Sequence, residues 1–159
     1  MDIKDVSLMC IADSSKNILF SYRYDNIDVK DMLDSIQDLE FTISVYKDQT
    51  LFTQRLNDIS IHLLARPDSN EIFVQNAFDA LVESLTKIIK NWNVERIAEK
   101  YDQIMLIFHE FVFNGIILTD DAGELSSRVM KRTFENVNAI KVNKGLASFL
   151  NKATKSFRK

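Results

Sequence analysis

The sequence predicts an α+β domain in which a five-stranded antiparallel sheet is covered by α-helices. Three observations carry this. Up to Ala65 the apolar residues come in short runs or alternations separated by turn formers. From Glu71 they recur at three- and four-residue steps, the period of a helix. The strands come first and the helices after, an order that suits an antiparallel sheet with helices on it rather than a doubly wound parallel sheet.

Val6 to Ile11 is a continuous apolar run. Asp13-Ser14-Ser15-Lys16-Asn17 then supplies turn formers, and Ile18, Phe20, Tyr22 and Tyr24 alternate onto one side. This pattern predicts a β-hairpin. A polar stretch holding Met32, Leu33 and Ile36 leads to three more short strands: Phe41 to Tyr46, Leu51 to Leu56 and Ile59 to Ala65. Lys47-Asp48-Gln49 and Asn57-Asp58 separate them, as tight turns of an antiparallel meander would.

Pro67, Asp68, Ser69 and Asn70 stop the last strand and offer N-caps for a helix. That helix carries Phe73, Ala77, Phe78, Leu81, Leu85, Ile88, Ile89 and Trp92 on one stripe. A second helix is expected from Asn93, its cap, with Ile97, Tyr101, Ile104, Phe108 and Phe111 inward, until Asn114-Gly115 ends it. Ile116 to Leu118 is a short apolar passage. Asp121 and Glu124 have the spacing of a capping box that opens a third helix through Leu125, Val129 and Met130. From Asn136 an amphipathic segment carries Val137, Ile140, Leu146, Phe149 and Leu150.

The chain has 159 residues, 46% of them hydrophobic, enough for one core but hardly two. One proline and three glycines provide no flexible linker, so the organisation expected is one domain over residues 1–135 and a basic amphipathic helix or tail over residues 136–159. A net charge of −3 from interspersed charges of both signs gives no general attraction to nucleic acid or acidic membranes. Cys10 is the sole cysteine and lies among Leu8, Met9 and Ile11, so no internal disulfide can form and a buried, inert thiol in a reducing compartment is expected. The start of the chain lacks the pattern of a signal peptide, and no segment reaches about 18 apolar residues.

The strand and helix order, with several local passages, resembles the longin-like small chains of vesicle coats. His109-Glu110-Phe111-Val112-Phe113-Asn114-Gly115-Ile116-Ile117-Leu118-Thr119-Asp120, followed by Ser127-Arg128-Val129, is similar to the coatomer zeta chains and less so to the adaptor sigma chains. Further support lies in Met9-Cys10-Ile11-Ala12-Asp13 before Leu19-Phe20, in Val45-Tyr46-Lys47 and in Phe78-Asp79-Ala80-Leu81. The similarity spans roughly Val6 to Arg132 and is diffuse. One departure is Asn114, where a second glycine beside Gly115 is expected; asparagine tolerates the same left-handed backbone.

The resemblance implies a non-catalytic subunit of the COPI coat, bound to the coatomer gamma subunit and the other coatomer subunits. Through them it would depend on an Arf-type GTPase and serve retrograde Golgi-to-ER and intra-Golgi transport, peripheral on Golgi membranes from the cytoplasm. Competing readings are a sigma chain of a clathrin-type adaptor, a longin-type tether or GTPase-regulating scaffold, and an enzyme.

Catalytic, cofactor and metal residues are each assigned as none, and the partner-binding residues are left unassigned. His62 and His109 lack neighbours at zinc-ligand spacing, and no phosphate-binding glycine loop or nucleophile elbow is present. Asp120 and Asp121 precede Gly123 and Glu124 as a helix cap would, rather than as an acid–base pair. Asp25, Asp28, Asp31, Asp34 and Asp38 have near-helical spacing and read as a solvated helical face or loop, with a basic partner as the alternative. Lys141, Lys144, Lys152, Lys155, Arg158 and Lys159 in the tail suit a partner groove or an anionic surface. Trp92, Phe73, Phe78, Phe108 and Phe111 read as core, while Phe113 breaks the stripe and is expected to be exposed.

Overall fold

The computed structural model of the chain describes residues 3–37 and 41–130, excluding the side chains of Phe41 and Met130; the expected tail over 136–159 and Asp38 lie outside the described residues. The first hairpin pairs β1 (Val6–Asp13) with β2 (Ile18–Arg23). It turns through Lys16 in the left-handed region, where the Asp13 carboxylate accepts the backbone N–H groups of Ser15 and Asn17 at 2.9 and 2.8 Å. The meander β3 (Phe41–Tyr46), β4 (Gln49–Leu56) and β5 (Ile59–Ala65) follows. Lys47 and Asp48 both take positive φ in its first turn, and Asn57 does so in the second. Strand β5 pairs antiparallel with β1, so the order is β2-β1-β5-β4-β3 and all five strands form one sheet.

Alternation along these strands fills two cores. On one face Val6, Met9, Ile11, Phe52, Ile61 and Leu63 meet the helices. On the other, Leu8, Cys10, Ala12, Leu51 and Leu64 meet a short helix, α1 (Val29–Asp34), through Val29, Met32 and Leu33. Asp28 caps α1 by accepting from the backbone N–H groups of Lys30 and Asp31. The stretch expected as a solvated helical face or loop is therefore a short helix that covers a second, smaller core. Its acids do form a solvated face: Asp28, Asp31 and Asp34 are exposed.

Helix α2 (Glu71–Ile89) lies along the larger core, with Asn70 accepting from Phe73 N–H at 3.2 Å as its cap. The single helix expected from Asn93 is instead two, α3 (Val94–Glu99) and α4 (Tyr101–Phe111). Asn93 is the cap as expected, but the helix breaks at Lys100. Arg96 ties α3 back to the end of α2 by donating to the Ile89 carbonyl at 3.3 Å, and it holds Glu99 at 2.7 Å. Tyr101 instead sits edge-on to Phe20 of the sheet, with ring centroids 5.5 Å apart, so the two turns answer to different anchors.

Asn114-Gly115 does not end a helix: α4 stops at Phe111, and the pair forms the turn of a small hairpin, β6 (Val112–Phe113) and β7 (Ile116–Ile117). Asn114 and Gly115 have φ of 50° and 83°, the left-handed pair that a two-residue hairpin turn requires. Helix α5 (Ala122–Met130) packs on α2 and α4 through Leu125 and Val129. Asp121 accepts from Glu124 N–H at 2.8 Å, half of a capping box. The other half is rerouted, since the Thr119 hydroxyl donates to Glu124 and accepts from Asp121 N–H.

Candidate functional site

The residues that could carry chemistry are held apart. His62 is buried on the α1 side of the sheet, with Nδ1 3.0 Å from the Thr53 hydroxyl and Nε2 2.8 Å from that of Ser60. Loss of hydration disfavours its charged form and pushes its pKa down to about 4. His109 lies exposed on α4, over the opposite face, where its Nε2 is 2.5 Å from the Tyr22 hydroxyl. Asp121 is occupied as a helix cap and Asp120 is exposed. Cys10 is fully buried, and burial pushes its thiol pKa up, away from the thiolate. Among the described residues no group of three His, Cys, Asp or Glu could hold a metal ion.

The acids offered as a surface for a basic partner mostly have partners within the chain. Asp31 accepts from the Tyr46 hydroxyl at 2.5 Å and the Lys47 ammonium at 2.9 Å, which holds its carboxyl below the usual range, the tyrosine bond contributing most. Asp25 accepts from Ser7 at 2.8 Å and lies 3.8 Å from Lys4 and 3.6 Å from Arg66.

What the chain does expose is apolar surface, and the sheet register places much of it at one end. Val45, Thr50, Ala65 and Val6 form one row of cross-strand partners, at the end where β1 begins and β5 finishes. Helix α2 starts there too, since Thr50 donates to Glu71. The β6–β7 hairpin is fastened to the same end: Gly115 O accepts from the backbone N–H groups of Asp5 and Val6 at 2.7 and 2.9 Å, and the Asp5 carboxylate accepts from Ile117 N–H at 3.0 Å. Ile3, Val45, Ile72, Phe113, Ile116 and Leu118 are 40–75% exposed around this end. They account for six of the ten large apolar side chains that stay exposed among the described residues.

The hairpin shows how such a surface arises. Val112 and Ile117 point inward and are buried, and their neighbours Phe113, Ile116 and Leu118 therefore point outward by the two-residue period of a strand. A hairpin that only covered the core would carry polar residues outside. Exposure of Phe113 agrees with its place off the helical stripe, whereas Trp92, Phe78, Phe108 and Phe111 are buried and Phe73 is half-buried against the core. The hairpin itself had a local signal, Asn-Gly between two apolar pairs.

No family model matches the chain. It is 35% identical to a coatomer subunit zeta of Encephalitozoon cuniculi, over 98% of this chain and 96% of that protein. It is also 33% identical over 105 residues to a coatomer subunit zeta of Saccharomyces cerevisiae, covering 65% of this chain and 56% of that one. In three dimensions it superposes on a chain of a homology model of the full-length AP-3 complex in a stretched open conformation, with a TM-score of 0.60, over 84% of this chain and 96% of the other. At 10% identity that likeness carries the fold alone.

Proposed function

Because this chain belongs to the coatomer zeta-subunit family, we propose that it is the small, non-catalytic subunit of a COPI-type coat and acts by pairing with the larger gamma subunit. The observation that carries this reading is 35% identity over nearly the whole chain to a coatomer subunit zeta. The bare apolar end of the sheet is consistent with it, since a monomer that needed no partner would gain nothing from exposing Phe113, Val45 and Ile72 to water.

The pairing would work by burial. A sheet packed on both faces stays rigid, so its exposed side chains keep their positions, and little ordering entropy opposes docking. The curved surface of a large helical coat subunit offers a matching area, and a stable interface needs about 1,600 Å² in total. The heterodimer would then join the other coatomer subunits and be recruited by an Arf-type GTPase, on Golgi membranes from the cytoplasmic side, for retrograde and intra-Golgi transport. No described helix is long and apolar enough to cross a membrane. The likeness to the AP-3 chain supports the shared fold but gives no preference for adaptin partners.

Purification of the tagged full chain from its own cells, with mass spectrometry of stoichiometric partners, tests this reading. Recovery of a gamma-type subunit with the remaining coatomer subunits is the expected result. Stoichiometric adaptins, or the chain by itself, would overturn it.

A further inference from the structure

We propose that the outward face of the β6–β7 hairpin is the docking site for an amphipathic segment of the larger coat subunit, one whose apolar side chains are flanked by acidic residues. The inference rests on the coat reading above and assigns that pairing to a surface. The apolar part is Phe113, Ile116 and Leu118 on successive outward positions, joined by Ile3; Phe113 is 62% exposed and Ile3 72%. Ile3 and Ile116 line one groove together with Lys4, Arg23, Tyr24 and Asn114.

The surface is held in place by parts that have no other evident use. Gly115 has φ +83°, and a Cβ there would stand 2.9 Å from the Val6 carbonyl, so the turn is pressed against the start of β1. Asp5 closes it from the other side through Ile117 N–H. The hairpin is thus fixed to the sheet while its outer face stays bare. A docking surface benefits from that combination, because the free protein already holds the bound shape.

Charge selects the occupant. The groove brings the exposed Arg23 beside Ile3 and Ile116, which suits an acidic residue on the partner, whereas Lys4 in the same groove is already 3.8 Å from Asp25. A second copy of this chain, docked through the same face, would bring its own cationic rim against the first. An anionic bilayer is disfavoured because the chain carries a net charge of −3 and the patch opens into a groove rather than standing up as a wedge.

The test measures affinity of the full chain for its co-purified larger subunit. Phe113→Asp with Ile116→Asp is expected to weaken binding at least about tenfold while thermal unfolding stays within about 3 °C of wild type, both side chains being exposed. Arg23→Glu is expected to weaken it about threefold and to reduce its salt dependence. Should the acidic pair unfold the chain, Phe113→Ser with Ile116→Thr, which keeps one β-branched residue, replaces it. Unchanged affinity in the folded variants overturns the proposal and leaves the coat reading standing. Loss of flotation with vesicles of about one-third anionic lipid, with pairing unchanged, overturns it in favour of a bilayer. If the wild-type chain pairs with no larger coat subunit, the coat reading falls and this proposal falls with it.

Discussion

The Asp13–Asn17 hairpin at one end of the sheet and the β6–β7 hairpin at the other are finished in opposite ways. At one end the chain reverses through Asp13 to Asn17 and through Asn57-Asp58, where Ser14, Ser15, Lys16, Asn17, Asn57 and Asp58 are all exposed and the Asp13 carboxylate gathers the backbone N–H groups. At the other end a hairpin of similar turn chemistry displays Phe113, Ile116 and Leu118 instead. Both turns satisfy their backbones, so turn geometry does not account for the difference. Removing an exposed side chain of Phe or Ile size from water is worth about 1.5–3 kcal/mol, and the free chain forgoes that gain at the hairpin. The polar turn terminates in water; under the docking proposal above, the apolar hairpin is completed by the partner.

The sharpest way to break this contrast is at Gly115. Gly115→Val must hold a β-branched residue at positive φ and fit a Cβ 2.9 Å from the Val6 carbonyl. It should cost about 4 kcal/mol, strain and overlap together, and lower the melting temperature by roughly 10 °C. A change below about 1 kcal/mol would mean the hairpin is not pressed against β1.

His62 tests the polar end, whose groove it lines with Asp13, Lys16 and Ser60. Its folded pKa is held near 4, below the ordinary histidine value, by burial. Between about pH 6.5 and 4 the unfolded chain takes up a proton that the folded chain refuses, so stability falls as pH falls across that window and levels below it. The expected loss is on the order of 3 kcal/mol, read from urea unfolding at a series of pH values. His62→Gln should remove that slope, and persistence of the slope would place the titrating group elsewhere.

Smaller effects separate the faces of the hairpin. Ile117→Ala, inward and 7% exposed, is expected to cost about 2 kcal/mol, and Asp13→Ala in the polar turn about 1 kcal/mol. The Asp13 carboxyl is held below its ordinary range, chiefly by the Asn17 side chain, so its contribution is present above about pH 4 and lost as pH falls through the lowered value. Phe113→Ala, on the outward face, should change stability by less than about 0.5 kcal/mol in chemical denaturation while weakening partner binding. Equal costs at Ile117 and Phe113 would erase the distinction between the faces.

The strands were legible because each is several residues long, alternates or runs apolar, and is bounded by residues that favour turns, as in Tyr46-Lys47-Asp48-Gln49. Helix α2 was legible for the same reason at the other period. The break at Lys100 was not, since Ile97 and Ile104 stand seven residues apart and keep the phase of one continuous helix across it. Helix α1 was legible only as a helical face or loop from its near-helical acids, because Val29, Met32 and Leu33 span barely two turns. Hairpin β6–β7 hid because two-residue strands with every residue apolar show no alternation, so the Asn-Gly pair read equally well as a helix end. The apolar end was the least legible feature, because it depends on register: only the row Val45–Thr50–Ala65–Val6 and the bonds from Gly115 O bring distant residues to one place.

Hydrogen exchange by mass spectrometry, on the chain alone and in the complex purified from its own cells, tests the central claim most directly. The account predicts that partner binding slows exchange over residues 112–118 and at the start of β1, while the Asp13–Asn17 turn exchanges as fast as before. Protection of that polar turn with an unaltered hairpin would contradict it.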